Sequence, residues 1–238
     1  MDGVDRFTAE AYDTAHPVFW ACAKDDVDAV RQFLKQGTRI DVASSRCPPL
    51  PVVAVKHNAA RVLELLLDEG VDPNMLASDF GENLLTRSLT EGKMESFHLL
   101  LRRGANPAWT NKYGASILHG AAASGNIEAI RVLLDHKVPV EMRMQDGSTP
   151  FYEAARANQV EAMQILSDHG ANIDAPDDGG ETPLIIAAKA GCVDAVRWLL
   201  QHGADLHHQA KFGRDALYWA KSNNRTRVIE LLEEGCEG

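Results

Sequence analysis

Basic charge is scarce in this chain. Its 238 residues hold 24 Lys and Arg against 34 Asp and Glu, a formal net charge of −10 with His neutral. Sequence-independent binding to nucleic acid or to an anionic membrane needs a basic surface, so neither is expected as a partner. No run of Lys and Arg marks nuclear import. Cysteine is also sparse. Cys22, Cys47, Cys192 and Cys236 lie far apart with no C-x-x-C pair, and they read as reduced thiols. Long apolar runs are missing: nothing approaches the ~18 uninterrupted apolar residues of a membrane span. The opening MDGVDRFTAEAYDTAH is acidic and lacks the apolar centre of a secretory signal. A soluble intracellular protein, cytoplasmic or nuclear or both, is the expectation.

Catalytic motifs are missing as well. There is no P-loop, no dinucleotide glycine motif and no G-x-S-x-G. Carboxylates are plentiful but scattered, and the Asp177–Asp178 pair reads as a solvated turn rather than an acid/base couple. His136, His169 and His202 recur at one repeat position near a helix C-terminus, where an imidazole interacts favourably with the helix dipole. With one on each successive unit, they stand too far apart to share a metal. No catalytic residue, metal ligand or cofactor is assigned. An enzyme or a metal-binding protein remains the alternative from another class.

What the chain does have is repetition. Gly37, Gly70, Gly104, Gly170 and Gly203 are spaced by 33, 34, 66 and 33 residues. The site hidden inside the 66 carries Lys137, and Cys236 falls one period beyond Gly203. That makes seven units. The clearest copy is ETPLIIAAKAGCVDAVRWLLQHGADL, from Glu181 to Leu206. Thr182 can cap a helix, and Pro183 sits in its first turn, where a missing N–H costs nothing. Leu184, Ile185, Ala187 and Ala188 supply an apolar side, and Gly191 ends the helix. A second helix carries Val193, Val196, Leu199 and Leu200 on one stripe, and Gly203 ends it. Helices of about two to three turns are unstable alone in water, so such a unit must stack on its copies.

Two columns of the repeat carry physical information. The turn between the two helices reads Asp25, Asn58, Gly92, Gly125, Asn158, Gly191 and Asn224, all residues that tolerate a left-handed backbone. The helix-start column reads His16, Pro49, Asn83, Ser116, Thr149, Thr182 and Asp215, of which five are good N-caps.

These residues resemble the ankyrin repeat family. Its motif T-P-L-x-x-A-A-x-x-G, then V/I-x-x-L-L-x-x-G-A-D, is nearly complete from Thr182 to Asp205 and close to complete from Thr149 to Asn172. The fourth unit keeps Leu118, His119 and Gly125. The resemblance implies an all-α ankyrin-repeat solenoid of stacked helix–turn–helix units with projecting β-turn fingers. Residues 1–14 would form a cap or a frayed segment. The repeats would span about 15–47, 48–81, 82–114, 115–147, 148–180, 181–213 and 214–238. His119 falls where the family's histidine ties neighbouring units by hydrogen bonds.

Three departures stand out. Pro51 lies where the first helix of the second unit should begin to pack. One extra residue lies between Gly70 and Gly81 and should stay in the finger. Lys137 occupies a left-handed position that favours glycine, which marks a soft junction. At the C-terminal end, the polar helix Arg225–Glu234 suits a cap. At the other end, Phe19, Trp20 and Phe33 are large for an exposed face.

In this family, partners are usually bound by the fingers and the first helices. Reading those positions gives a candidate protein-binding set: Arg46, Phe80, Glu82, Lys112, Tyr113, Asp146, Glu181, Lys211, Phe212 and Arg214. Phe80, Tyr113 and Phe212 are the most informative members, because aromatic residues are enriched at binding hot spots. Phe80 and Tyr113, on adjacent fingers, could form one patch. The expected function is that of a non-catalytic interaction module, monomeric by itself, acting as adaptor, inhibitor or regulatory subunit on a protein partner. A transcriptional coregulator and a ubiquitin-ligase recruitment subunit both fit this class.

Overall fold

The computed structural model describes residues 17–38 and 48–235. Arg46, the N-terminal segment, the helix-start position His16, the first finger (41–47) and Cys236 lie outside the described residues. The chain divides into two compact units, residues 1–112 and 113–238.

The first unit holds α1 (Pro17–Ala23), α2 (Val27–Lys35), α3 (Leu50–Lys56), α4 (Ala60–Asp68), α5 (Leu84–Thr90) and α6 (Met94–Arg102). Each consecutive pair forms a hairpin. The first helices pack side by side as α1, α3, α5, and the second helices as α2, α4, α6. The second unit repeats the arrangement with α7 (Ile117–Ser124), α8 (Ile127–Asp135), α9 (Pro150–Arg156), α10 (Val160–Asp168), α11 (Pro183–Ala190), α12 (Val193–Gln201), α13 (Ala216–Ser222) and α14 (Thr226–Gly235). There the rows are α7, α9, α11, α13 and α8, α10, α12, α14. Besides the helices, the described residues contain a 3₁₀ turn, Lys211–Gly213, and two isolated bridges, Leu76 with Asn83 and Ala210 with Arg214.

The local sequence explains these elements. The side chains of Asn83, Ser116, Thr149, Thr182 and Asp215 each accept a backbone N–H from the first turn of the helix they precede. Pro51 is accommodated because α3 starts at Leu50. It falls in the first turn, where its lack of an N–H leaves no bond broken. All seven inter-helix turn residues adopt positive φ, from 54° at Asn58 to 85° at Gly191. Lys137 is left-handed too, at φ 63°. The extra residue of the second repeat stays in its finger, where Leu76 bridges Asn83.

Two of the turn residues do more than turn. Asp25 Oδ1 accepts the N–H of Val62 at 2.8 Å, and Asn158 Oδ1 accepts the N–H of Ala195 at 2.9 Å. Val62 and Ala195 lie in the first turns of α4 and α12, helices whose own cap residues, Ala59 and Cys192, make no side-chain cap bond. The turn of one repeat therefore caps the second helix of the next.

Packing rests on close approach. Ala121, Ala122, Ala187 and Ala188 are fully buried in the first-helix row of the second unit, and Phe97 and Phe151 are the largest fully buried side chains. Leu199, also fully buried, contributes about 1.5–3 kcal/mol by leaving water. The C-terminal helix α14 buries Val228 and Leu232, while Glu233 on its exposed side pairs with Lys221 at 2.8 Å. His136, His169 and His202 are the C-cap residues of α8, α10 and α12. The Nδ1 atoms of His169 and His202 meet the carbonyls of Ile165 and Trp198 at 2.8 and 2.7 Å. This is the helix-end role the sequence assigns them.

Candidate functional site

Each described finger is closed by a tight turn ending in a left-handed glycine. In the second unit, Gly147, Gly180 and Gly213 donate to the carbonyls of Met144, Asp177 and Ala210 at 3.0, 3.0 and 3.1 Å. Gly81 donates to Ser78 at 3.2 Å in the first. The residue before the glycine then ties its finger to the next. In the first unit the Phe80 carbonyl accepts Lys112 N–H at 3.3 Å. In the second, the Tyr113, Asp146 and Gly179 carbonyls accept from Gln145, Asp178 and Lys211 at 2.9, 2.8 and 3.2 Å. These links hold the tips in register. They also pack closely, since a Cβ on Gly147 would meet the Asp178 backbone nitrogen at 2.7 Å.

In the first unit, Phe80 is 37% exposed, and the Lys112 ammonium lies 4.1 Å from its ring centre. That cation–π contact covers one face of the ring. Glu82 sits 3.9 Å from the buried Arg87 guanidinium, which pairs more closely with Glu91 at 3.1 Å. Trp109 reaches back to donate its indole N–H to the Gly81 carbonyl at 2.8 Å.

The second unit carries the remaining candidates. Tyr113 is 48% exposed. Asp146 turns into its own finger, accepting the Ser148 hydroxyl at 2.6 Å and its N–H at 3.1 Å. The hydroxyl bond holds its carboxyl below the usual range. Asp177 also serves its finger. It accepts Glu181 N–H at 2.8 Å and the Tyr152 hydroxyl at 3.2 Å. Burial, and then the Asp177 charge, push that hydroxyl's pKa well up. The Asp177–Asp178 turn is thus more structured than a solvated loop. Glu181 is half-buried and bound to Lys189 Nζ at 2.9 and 3.0 Å. Lys211 is exposed at the last tip.

Phe212 is 90% exposed and left-handed, with φ 67° and ψ 22°. The Arg214 guanidinium lies 5.6, 5.4 and 5.2 Å from the ring centres of Phe212, Tyr218 and Trp219, and Lys189 Nζ lies 4.3 Å from that of Trp219. Lys211, Phe212 and Arg214 are therefore brought together with two residues of α13 that the column reading did not select, Tyr218 and Trp219. Their signal was available: two adjacent aromatics where the fifth and sixth repeats carry Tyr152–Glu153 and Ile185–Ile186. Phe80 belongs to the first unit and Tyr113 to the second.

Other reactive groups are occupied by the fold. His119 is buried. Its Nδ1 accepts Ser116 N–H at 3.1 Å, so the proton sits on Nε2, which donates to the Ser148 carbonyl at 3.2 Å. The imidazole joins the fourth and fifth repeats. Cys22 is buried and its thiol is pushed up to about 12, chiefly by that burial. Among the described residues no group of three His, Cys, Asp or Glu could hold a metal ion. None of the described helices is long and apolar enough to cross a membrane.

Comparison with known proteins agrees with this architecture. The family described as ankyrin repeats (3 copies) matches residues 85–177 and 172–238, together more than half of the chain. A putative ankyrin repeat protein, FPV222, of Fowlpox virus (strain NVSL) is 33% identical over 67 residues, 28% of this chain. Those residues are only 9% of the viral protein. Among solved structures, the human ASB11 ankyrin repeat domain superposes with a TM-score of 0.77 at 23% identity, covering 91% of this chain and 97% of that one. At that identity the likeness establishes the fold alone.

Proposed function

The chain belongs to the ankyrin repeat family, and from that membership we propose that it is a non-catalytic adaptor, inhibitor or regulatory subunit that binds a protein through its fingers and first helices. Ankyrin repeats are in general protein–protein interaction modules. A fold does not name its target, so the proposal for this chain rests on its own surface.

One observation carries it. The exposed large apolar side chains among the described residues are Trp20, Leu76, Phe80, Tyr113, Phe212 and Tyr218. Phe80, Tyr113 and Phe212 all occupy the repeat position just before a finger glycine. Three of the six thus share one column. Exposed rings on rigid turns supply contact area at low entropic cost, and such anchors dominate interface energetics. Arg46, Glu82, Lys112, Asp146, Glu181, Lys211 and Arg214 complete the proposed surface as its polar members.

The test is affinity capture of partners on the wild-type chain, followed by direct affinity measurement against the double variant Phe80→Ala with Tyr113→Ala. A partner should bind about tenfold or more weakly to the variant while its unfolding midpoint stays in place. Equal affinity with the fold intact would remove these two rings from the surface.

A further inference from the structure

We propose that the finger 207–213 and α13 take an acidic peptide segment. Its carboxylate would meet Arg214 and Lys211, and an apolar side chain would lie on Phe212 and Tyr218. This deepens the interaction role proposed above and rests on it.

Charge comes first. Arg214 is surrounded by rings rather than carboxylates, and among the described residues no ion pair involves Arg214 or Lys211. The acidic groups nearest in the chain are engaged elsewhere: Asp215 caps α13 by accepting Tyr218 N–H at 2.7 Å, and Asp205 accepts His207 N–H at 2.9 Å. Glu181, of the same repeat as Lys211, is held by Lys189. Two uncompensated cations at one tip contrast with a chain of net charge −10. That excess of acid disfavours an extended polyanion such as nucleic acid. A short segment presenting one or two carboxylates escapes most of that repulsion. Stacking against aromatic faces holds the planar Arg214 fork in place, which lowers the entropy lost when it pairs bidentately.

Phe212 itself supplies the apolar contact. A bulky residue at φ 67° is a genuine outlier, and its ring is 90% exposed, so neither local conformation nor burial accounts for a phenylalanine here. Arg214 bridges the ring to Tyr218 and makes the two one surface.

The experiment is fluorescence anisotropy of the full chain with labelled peptides of core Leu-Glu-Phe-Asp-Leu and their isosteric partners Leu-Gln-Phe-Asn-Leu. Acidic peptides should bind about tenfold or more tightly than neutral ones, and less tightly as salt rises. Arg214→Gln and Phe212→Ala should each lower the affinity about tenfold, and Arg197→Gln, on α12, should leave it unchanged. Phe212→Gly relieves the left-handed strain, so its loss of binding would not be unfolding. Equal binding of acidic and neutral peptides would overturn the charge assignment. Acidic binding that survives both substitutions would overturn the location. Dimerisation abolished by Phe212→Ala would give the site to a second copy of the chain and overturn the proposal. If no peptide binds, this inference fails alone. The broader interaction role fails separately, if no captured partner depends on any finger residue.

Discussion

Asn158 Oδ1 accepts the backbone N–H of Ala195 at 2.9 Å, so a turn residue of the fifth repeat caps a helix of the sixth. The same residue holds φ at 58° to reverse the chain between α9 and α10. One side chain thus meets a local backbone requirement and forms a contact to the neighbouring repeat.

These two roles separate by mutation. Asn158→Gly keeps the turn and loses the cap, and should destabilise by about 1 kcal/mol. Asn158→Ala loses the cap and also the polar side chain that lets asparagine tolerate the left-handed region, adding about 1 kcal/mol. Urea unfolding should rank wild type, then glycine, then alanine. A glycine variant as stable as wild type would show that the Ala195 contact contributes nothing.

His119 predicts a pH dependence. Burial, chiefly, lowers its pKa from the ordinary value, because charging the ring in place would desolvate a cation. The unfolded chain therefore binds a proton more readily than the folded one. Stability from this group is complete above the ordinary imidazole pKa of about 6.5 and is lost as pH falls below it towards the lowered folded value. His57, whose pKa burial also lowers, adds a slope of the same sign. His119→Ala should cost about 1–3 kcal/mol near neutral pH through its lost hydrogen bonds and should flatten the acid slope. An unchanged slope would place the titration elsewhere.

Two non-glycine residues in the left-handed region give parallel predictions. Lys137→Gly should raise stability by about 0.5–1 kcal/mol, because glycine keeps the same left-handed backbone without its strain. Phe212→Gly should stabilise by about 1 kcal/mol, since its ring buries almost nothing. Thermal unfolding checks both. A lower melting temperature in either would mean that the side chain holds the fold in a way the geometry does not show.

Glycines of similar φ should not be equally replaceable. At Gly170 an added Cβ meets nothing within 4 Å, so Gly170→Ala should cost only the left-handed penalty of about 1–2 kcal/mol. At Gly147 the same atom meets Asp178, a clash that should add about 1–3 kcal/mol. Equal losses would mean that the two fingers separate freely.

The sequence by itself determined the repeat, the turns and the caps. These are local demands: a left-handed turn needs Gly, Asn or Asp, and a helix start needs an oxygen for its orphan N–H groups. A period of about 33 residues writes those demands seven times, so Thr182 and Gly191 could be read without coordinates. Tertiary structure alone decided how side chains are spent across repeats. Asp146 and Glu181 looked like surface charges but are bound to Ser148 and Lys189. Arg214 looked like one of many rim charges and instead meets three rings. Asp25 and Asn158 looked like turn formers and also cap the helix of the next repeat. Such contacts join residues 37 positions apart, or depend on which direction a side chain takes from a finger. No local pattern records either, because the energy lies in the meeting of surfaces and not in the propensity of a segment.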